Sequence, residues 1–332
     1  MKVKIILCTP TTSSNLDSMF NKLLVISGPT ATGKTDLAVK IAKKYNGELV
    51  SGDSCQIYKG MDIGTGKDQP QDTPIHLIDL VTPDKKFSVA DFQKIGLETI
   101  KEIQSRGKLP ILVGCSGFYI DSLINPNYNT FSIKPNKFLR FIFKYLSLNT
   151  LQKIYKFLDK DGFSKLNNSD INNHYRLTRK IEIKIFKKDT KYLIPDTKYN
   201  ILHVSLTAPL DFLYKRIDAR VNKRMEIGFL NEIKNLLKKY SWSDPGMQIA
   251  AYQCLKPYFD NINKSPLSKG ETANAERDLS SCLQSWSYAE HSDARRQTCW
   301  FKTKSKANYF DITKNKYEEN IFKQVDKWYN KI

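Results

Sequence analysis

The eight residues GPTATGKT at positions 28–35 constrain this chain more than any other feature. They satisfy G-x-x-x-x-G-K-[ST] at every specified position, with Gly28, Gly33, Lys34 and Thr35 fixed and Pro29, Thr30, Ala31 and Thr32 between them. In such a loop the glycines let backbone N–H groups turn toward phosphate oxygens. The lysine adds a point charge, and the Thr35 hydroxyl is placed to ligate Mg²⁺. The flanks agree with this reading: LLVISG (23–28) is a short apolar run of the buried-strand kind, and Leu37, Ala38, Ile41 and Ala42 recur at helical spacing. The loop therefore predicts strand, turn and helix around a phosphate or diphosphate, with all eight residues as ligands, and leaves open whether a nucleotide carries that phosphate.

The pattern repeats along the first third. ELVSGD (48–53) reads as a strand, and the helical stretch 92–107 feeds a strand at KLPILVG (108–114). Alternating strands and helices predict an α/β fold with a P-loop NTPase-like parallel sheet, its ligands at the carboxyl ends of the strands. From 121 to 200 the pattern changes to basic-aromatic helical runs such as KFLRFIFKYL (137–146), which predicts a helical insertion. NILHVSL (200–206) then returns to the core, followed by helical patterns from Pro209 to Tyr240 and from Glu276 to Trp300, with a polar loop between 260 and 275. The resulting division is a poorly ordered leader over 1–20 with Met19 available as an initiator, the first part of the core over 21–120, the insertion over 121–200, and the return over 201–332.

Charge supports that division. The formal net charge is +19, made of +3 over 1–120, +9 over 121–200 and +7 over 201–332. A polyanion held by the insertion is one account of this asymmetry, and Lys-rich solvated faces are the other. The six cysteines have no paired C-x-x-C spacing, which argues against a zinc module or a disulfide framework and for a reducing, cytoplasmic setting. No apolar run approaches the ~20 residues needed to span a bilayer.

Several blocks, in order, resemble one family. GPTATGKT with SGDSCQIYKGMDIGTGK (51–67), PILVGCSGFYI (110–120), NNHYRLTRKIEI (172–183), RVNKRMEIGFLNEI (220–233), MQIAAYQ (247–253) and ARRQTCWF (294–301) are similar to the motifs of bacterial-type tRNA dimethylallyltransferases. The resemblance implies transfer of a prenyl group from dimethylallyl diphosphate to the N6 amine of the adenosine next to the anticodon, with Mg²⁺, by a monomer. It implies Asp53 as the base, Ser116 beside the leaving group or the amine, and Arg220 as a partner of the diphosphate. It further implies tRNA contacts from Asp53, Ser54, Cys55, Gln56, Arg140, Tyr175, Arg176, Arg179, Gln248, Arg295, Arg296 and Gln297. Two departures stand out, since Cys115 and Ala251 occupy positions where the family pattern has glycine.

Each residue also has a plainer reading: Asp53 as a helix N-cap, Arg220 as one half of a surface ion pair, and the arginines of 172–183 as a solvated basic face. The whole chain has competing readings too. An adenylate isopentenyltransferase or a P-loop nucleoside or nucleotide kinase would use the same core, and neither needs a basic insertion.

Overall fold

A computed structural model describes residues 21–67, 72–125, 133, 135–186, 199–262 and 272–331, so the expected leader lies outside the described residues. In chain order the strands are β1 (Lys22–Ser27), β2 (Gly47–Ser51), β3 (Ile75–His76), β4 (Leu109–Gly114), β5 (Asn200–Thr207) and β6 (Asn308–Asp311). The helices are α1 (Lys34–Tyr45), α2 (Val89–Ser105), α3 (Gly117–Ile124), α4 (Lys137–Lys144), α5 (Leu148–Leu158), α6 (Lys160–Ser164), α7 (Asn168–Ile171), α8 (His174–Phe186), α9 (Leu210–Glu226), α10 (Phe229–Leu237), α11 (Ala250–Ile262), α12 (Thr272–Lys304) and α13 (Tyr317–Tyr329).

The strands form one sheet in the order β3-β2-β4-β1-β5-β6, and every pairing is parallel. This is the α/β architecture the alternating pattern predicts. Side chains of β1 alternate between its two faces, as strand geometry requires. Leu23 and Val25 join a core built with α2, α3 and α9 to α12, whereas Leu24 and Ile26 join one built with α1 and α13. The two edge strands β3 and β6 escape the sequence reading because runs of two and four residues carry too little period-2 signal.

Two helical expectations are corrected. The single pattern read over 209–240 breaks where Gly228 takes φ 103°, separating α9 from α10. The polar stretch 260–275 is helical at both described ends, since α11 runs to Ile262 and α12 starts at Thr272.

The chain divides into two compact units, one from Met1–Ile124 with Lys198–Ile332 and the other from Asn125–Thr197. The second unit has its own small core of Phe143, Leu151, Tyr155, Leu177 and Ile181. Its buried Glu182 accepts from Arg140 Nε (2.6 Å) and Nη2 (2.7 Å), from Arg179 Nη1 (3.1 Å) and from the Asn136 N–H (3.1 Å). No helix among the described residues is long and apolar enough to cross a membrane.

Two buried groups lower the stability of the first unit in acid. His203 of β5 lies 2.9 Å from Ser27 Oγ, and burial pushes its pKa down to about 4 from 6.5. Between those values the unfolded chain binds the extra proton, so stability falls as pH drops through that window. Burial alone would raise Glu48, but hydrogen bonds from Lys108, His76 and Arg106 hold its carboxyl at about 2, below the usual 4.5. Its contribution is complete above about 4.5 and is lost as pH falls toward 2. Thermal melting followed against pH should therefore decline in two stages. His203→Asn should remove the upper stage, and Glu48→Gln should remove the lower one while costing about 2 kcal/mol at neutral pH.

Candidate active site

The phosphate loop takes its shape from where β1 ends. Gly28 has φ 140°, and a Cβ there would collide with the Leu206 carbonyl of the neighbouring strand. Gly33, at φ 80°, turns the chain into α1, so the N-terminal N–H groups of that helix open onto the loop. Within the loop Lys34 Nζ donates to the Pro29 carbonyl at 2.7 Å, and Thr32 Oγ1 donates to the same oxygen at 2.8 Å.

Asp53 follows the carboxyl end of β2. Gly52 N–H donates to the Val113 carbonyl at 2.7 Å, and Gly114 passes so close to the Gly52 backbone that no side chain fits between them. That crossing brings Asp53 and Cys115 together. Asp53 Oδ1 accepts from the Cys55 N–H at 2.9 Å, and Oδ2 accepts from Cys115 Sγ at 3.0 Å. No helix begins here, so the N-cap reading of Asp53 does not apply. Burial, first, and the Asp53 charge, second, push the Cys115 thiol well above its usual range.

Loop and carboxylate line one cavity of about 330 Å³. Its far side comes from α9, with Arg216, Arg220 and Arg224, and from α12, with Glu290, Asp293 and Gln297. Arg220 Nη2 donates to Thr30 Oγ1 at 2.6 Å and to Glu290 Oε2 at 2.8 Å, while its buried Nε has no hydrogen-bond partner among the described residues. Gln297 Oε1 accepts the Thr30 N–H at 2.8 Å, which is a loop donor that a phosphate oxygen would otherwise use. Burial raises the Asp293 carboxyl, and its ion pair with Arg296 only partly opposes that. Four cations (Lys34, Arg216, Arg220, Arg224) and four carboxylates (Asp36, Asp53, Glu290, Asp293) thus share the cavity wall. Such a set is balanced by itself and can redistribute around an entering anion.

Of the other residues singled out from the sequence, Ser54, Cys55, Gln56 and Ser116 gather around Asp53 and the rest are dispersed. Ser116 Oγ accepts the Ser54 N–H at 3.0 Å and sits 3.1 Å from Ser54 Oγ, so the two hydroxyls brace the turn that carries Asp53. Cys55 and Gln56 line the cavity, and Gln56 Oε1 accepts from Ser51 Oγ at 2.8 Å. Gln248 lies in a short 3₁₀ turn and donates to the Trp242 carbonyl at 2.5 Å. Arg295 and Arg296 are exposed on α12.

In the second unit Arg140 and Arg179 are both turned onto Glu182, Arg176 pairs with Asp170 at 3.1 Å, and exposed Tyr175 packs its ring against Arg140. The sequence reading missed Arg216, Arg224, Glu290 and Asp293. Their signal was available as helical spacing: 216, 220 and 224 share a face of α9, and 290, 293 and 297 share a face of α12.

Comparison with known proteins gives consistent results. The IPP transferase profile matches residues 56–304, and an isopentenyl transferase profile matches residues 21–82. A tRNA dimethylallyltransferase of Pediococcus pentosaceus is 33% identical over 314 residues, covering 92% of this chain and 96% of that one. One of Carboxydothermus hydrogenoformans is 35% identical over 312 residues, covering 91% and 95%. Among solved structures, the tRNA isopentenylpyrophosphate transferase of Bacillus halodurans superposes with a TM-score of 0.66 at 30% identity, covering 93% of this chain and 97% of that one. A eukaryotic dimethylallyltransferase crystallised acting on tRNA shares the fold, with a TM-score of 0.74 at 24% identity, covering 92% and 78%.

Two variants test this geometry. Lys34→Met should weaken binding of inorganic diphosphate by roughly ten- to a hundredfold in calorimetry, the loss of one charge-assisted contact. Arg140→Ala should lower stability by about 3 kcal/mol in chemical denaturation, because it strips the bidentate partner from a buried carboxylate; a loss below ~1 kcal/mol would show that Glu182 is served by Arg179 alone.

Proposed function

The chain belongs to the IPP transferase family, and on that premise we propose that it transfers a dimethylallyl group from dimethylallyl diphosphate to the N6 amine of the adenosine 3′-adjacent to a tRNA anticodon. The observation that carries the reading is a single cavity lined by a phosphate loop, a carboxylate at a strand end, and an arginine whose buried Nε lacks an acceptor among the described residues.

The exocyclic amine of adenine is a weak nucleophile, so both ends of the reaction need help. Its nitrogen lone pair forms the new bond to C1 of the prenyl group as the C1–O bond breaks, and that electron pair leaves with the diphosphate. Asp53 accepts the N6 proton. Lys34, Arg220 and the N–H groups of the loop meet the charge that develops on the leaving oxygens. For this the diphosphate replaces Gln297 Oε1 at the Thr30 N–H and supplies an acceptor for Arg220 Nε.

The Thr35 hydroxyl on the cavity wall is a hard-oxygen donor of the kind Mg²⁺ prefers, and it would help to hold that ion beside the diphosphate. When bound, the ion neutralises part of the diphosphate charge. Ser116 acts through the turn that it braces beside Asp53.

RNA affinity comes from the basic unit over 125–197. It presents Phe138, Phe141, Tyr145 and Tyr175 exposed among its lysines and arginines, and aromatic side chains of this kind stack on unpaired bases. The target adenine leaves its stack to reach the reacting carbon.

Labelled dimethylallyl diphosphate with Mg²⁺ should be offered an anticodon stem-loop bearing three consecutive adenines, AMP, or no acceptor. Label is expected in the stem-loop. Label in AMP instead would assign free-nucleotide prenylation. Asp53→Ala should lower kcat by about a thousandfold and leave RNA binding unchanged; loss of both would remove Asp53 from the role of base.

A further inference from the structure

Asp53 is held at both oxygens, and only one of the two contacts is made by the backbone. Oδ1 accepts the Cys55 N–H, a contact that any residue at 55 except proline would give. Oδ2 accepts from Cys115 Sγ at 3.0 Å, and that contact exists only because a side chain stands at position 115. The position follows Gly114, whose backbone lies against Gly52, so the two side chains beyond this crossing emerge side by side. Both line the cavity.

We propose that Cys115 is a positioning residue for Asp53: its S–H fixes the plane of the carboxylate and keeps the charged, proton-accepting form available beside the acceptor amine. The proposal rests on the prenyl-transfer reading. Turning a carboxylate held at Oδ1 alone about its last torsion breaks one hydrogen bond, and turning one held at both oxygens breaks two. The thiol remains a donor throughout, since burial and the neighbouring Asp53 charge both oppose its ionisation and only Lys34 favours it. The other charged groups facing this corner are Glu290 and Asp293 from α12 and Arg220 from α9, with the Cys55 thiol alongside. A hydrogen bond to the ionised form favours that form.

The test is the pH profile of kcat/KM for transfer to the stem-loop in Cys115→Ala and Cys115→Ser, with melting temperatures measured alongside. The alanine variant should shift the acid limb upward by about half a pH unit, the effect of losing one weak donor. The serine variant, which keeps an O–H at that place, should stay near the wild type. An alanine variant that is folded and has the wild-type limb would overturn the proposal, as would a serine variant displaced as far as alanine.

A second measurement needs no turnover. Carbamidomethylation of Cys115 by iodoacetamide, followed by peptide mass spectrometry at one fixed alkaline pH, should run at least about threefold faster in Asp53→Asn, where the charge opposing the thiolate is gone. Equal rates would show that the thiol does not face Asp53. Should wild-type protein prenylate neither RNA nor AMP, the prenyl-transfer reading fails, and the labelling result still decides the contact.

Discussion

Strand β1 is paired in parallel on both sides, with β4 and with β5, and all six of its residues are buried. Its chain therefore leaves the sheet only at the carboxyl edge, through a passage so narrow that Gly28 has no room for a Cβ beside the Leu206 carbonyl. Everything at the site is referred to that exit. The loop must turn within a few residues into α1, which fixes where its N–H groups and Lys34 point. The second glycine crossing, Gly52 against Gly114, places Asp53 at the same edge by the same device. Two places where backbone touches backbone thus define the distance between the GPTATGKT loop and the Asp53 carboxylate, and neither depends on a flexible side chain.

Electrostatics completes what these crossings begin. The cavity wall holds as many carboxylates as cations, which avoids the cost of an uncompensated cluster of arginines in a partly buried space. Arg220 is shared between Thr30 and Glu290, and Gln297 covers a donor of the loop. Each contact is one that a phosphate oxygen can take over, so ligand entry exchanges hydrogen bonds and does not create them from solvated groups. The second unit shows the opposite arrangement. Glu182 is buried and gathers Arg140 of α4 and Arg179 of its own helix inward, so the carboxylate ties α4 to α8.

What could be read in the sequence was local. The strand, loop and helix around GPTATGKT lie within about twenty-five residues and announce themselves by period and composition. Asp53 was reached through its motif and its strand end. Glu290, Asp293 and Gln297 were harder, because their importance depends on a helix far away in sequence being laid against the loop, and helical spacing alone marks many surface faces. Cys115 was visible as a departure from the family pattern, but its hydrogen bond to Asp53 follows from the Gly52–Gly114 crossing, which no local pattern encodes. Strands β3 and β6 are short edges whose pairing is imposed by the sheet.

Helix α12 supplies three cavity residues and also seats Trp300 against Gly117, where a side chain would collide with the indole ring. Each residue of an α-helix turns the following ones by about 100°. Deleting a single position between Glu290 and Trp300 would leave an intact, equally stable helix in isolation. It would nonetheless force a choice between keeping the indole on Gly117 and keeping Glu290 on Arg220. Substitutions along this segment can be absorbed one at a time, but a change of length cannot, and the span 290–300 should behave as a fixed ruler in any recombination of this chain with its relatives.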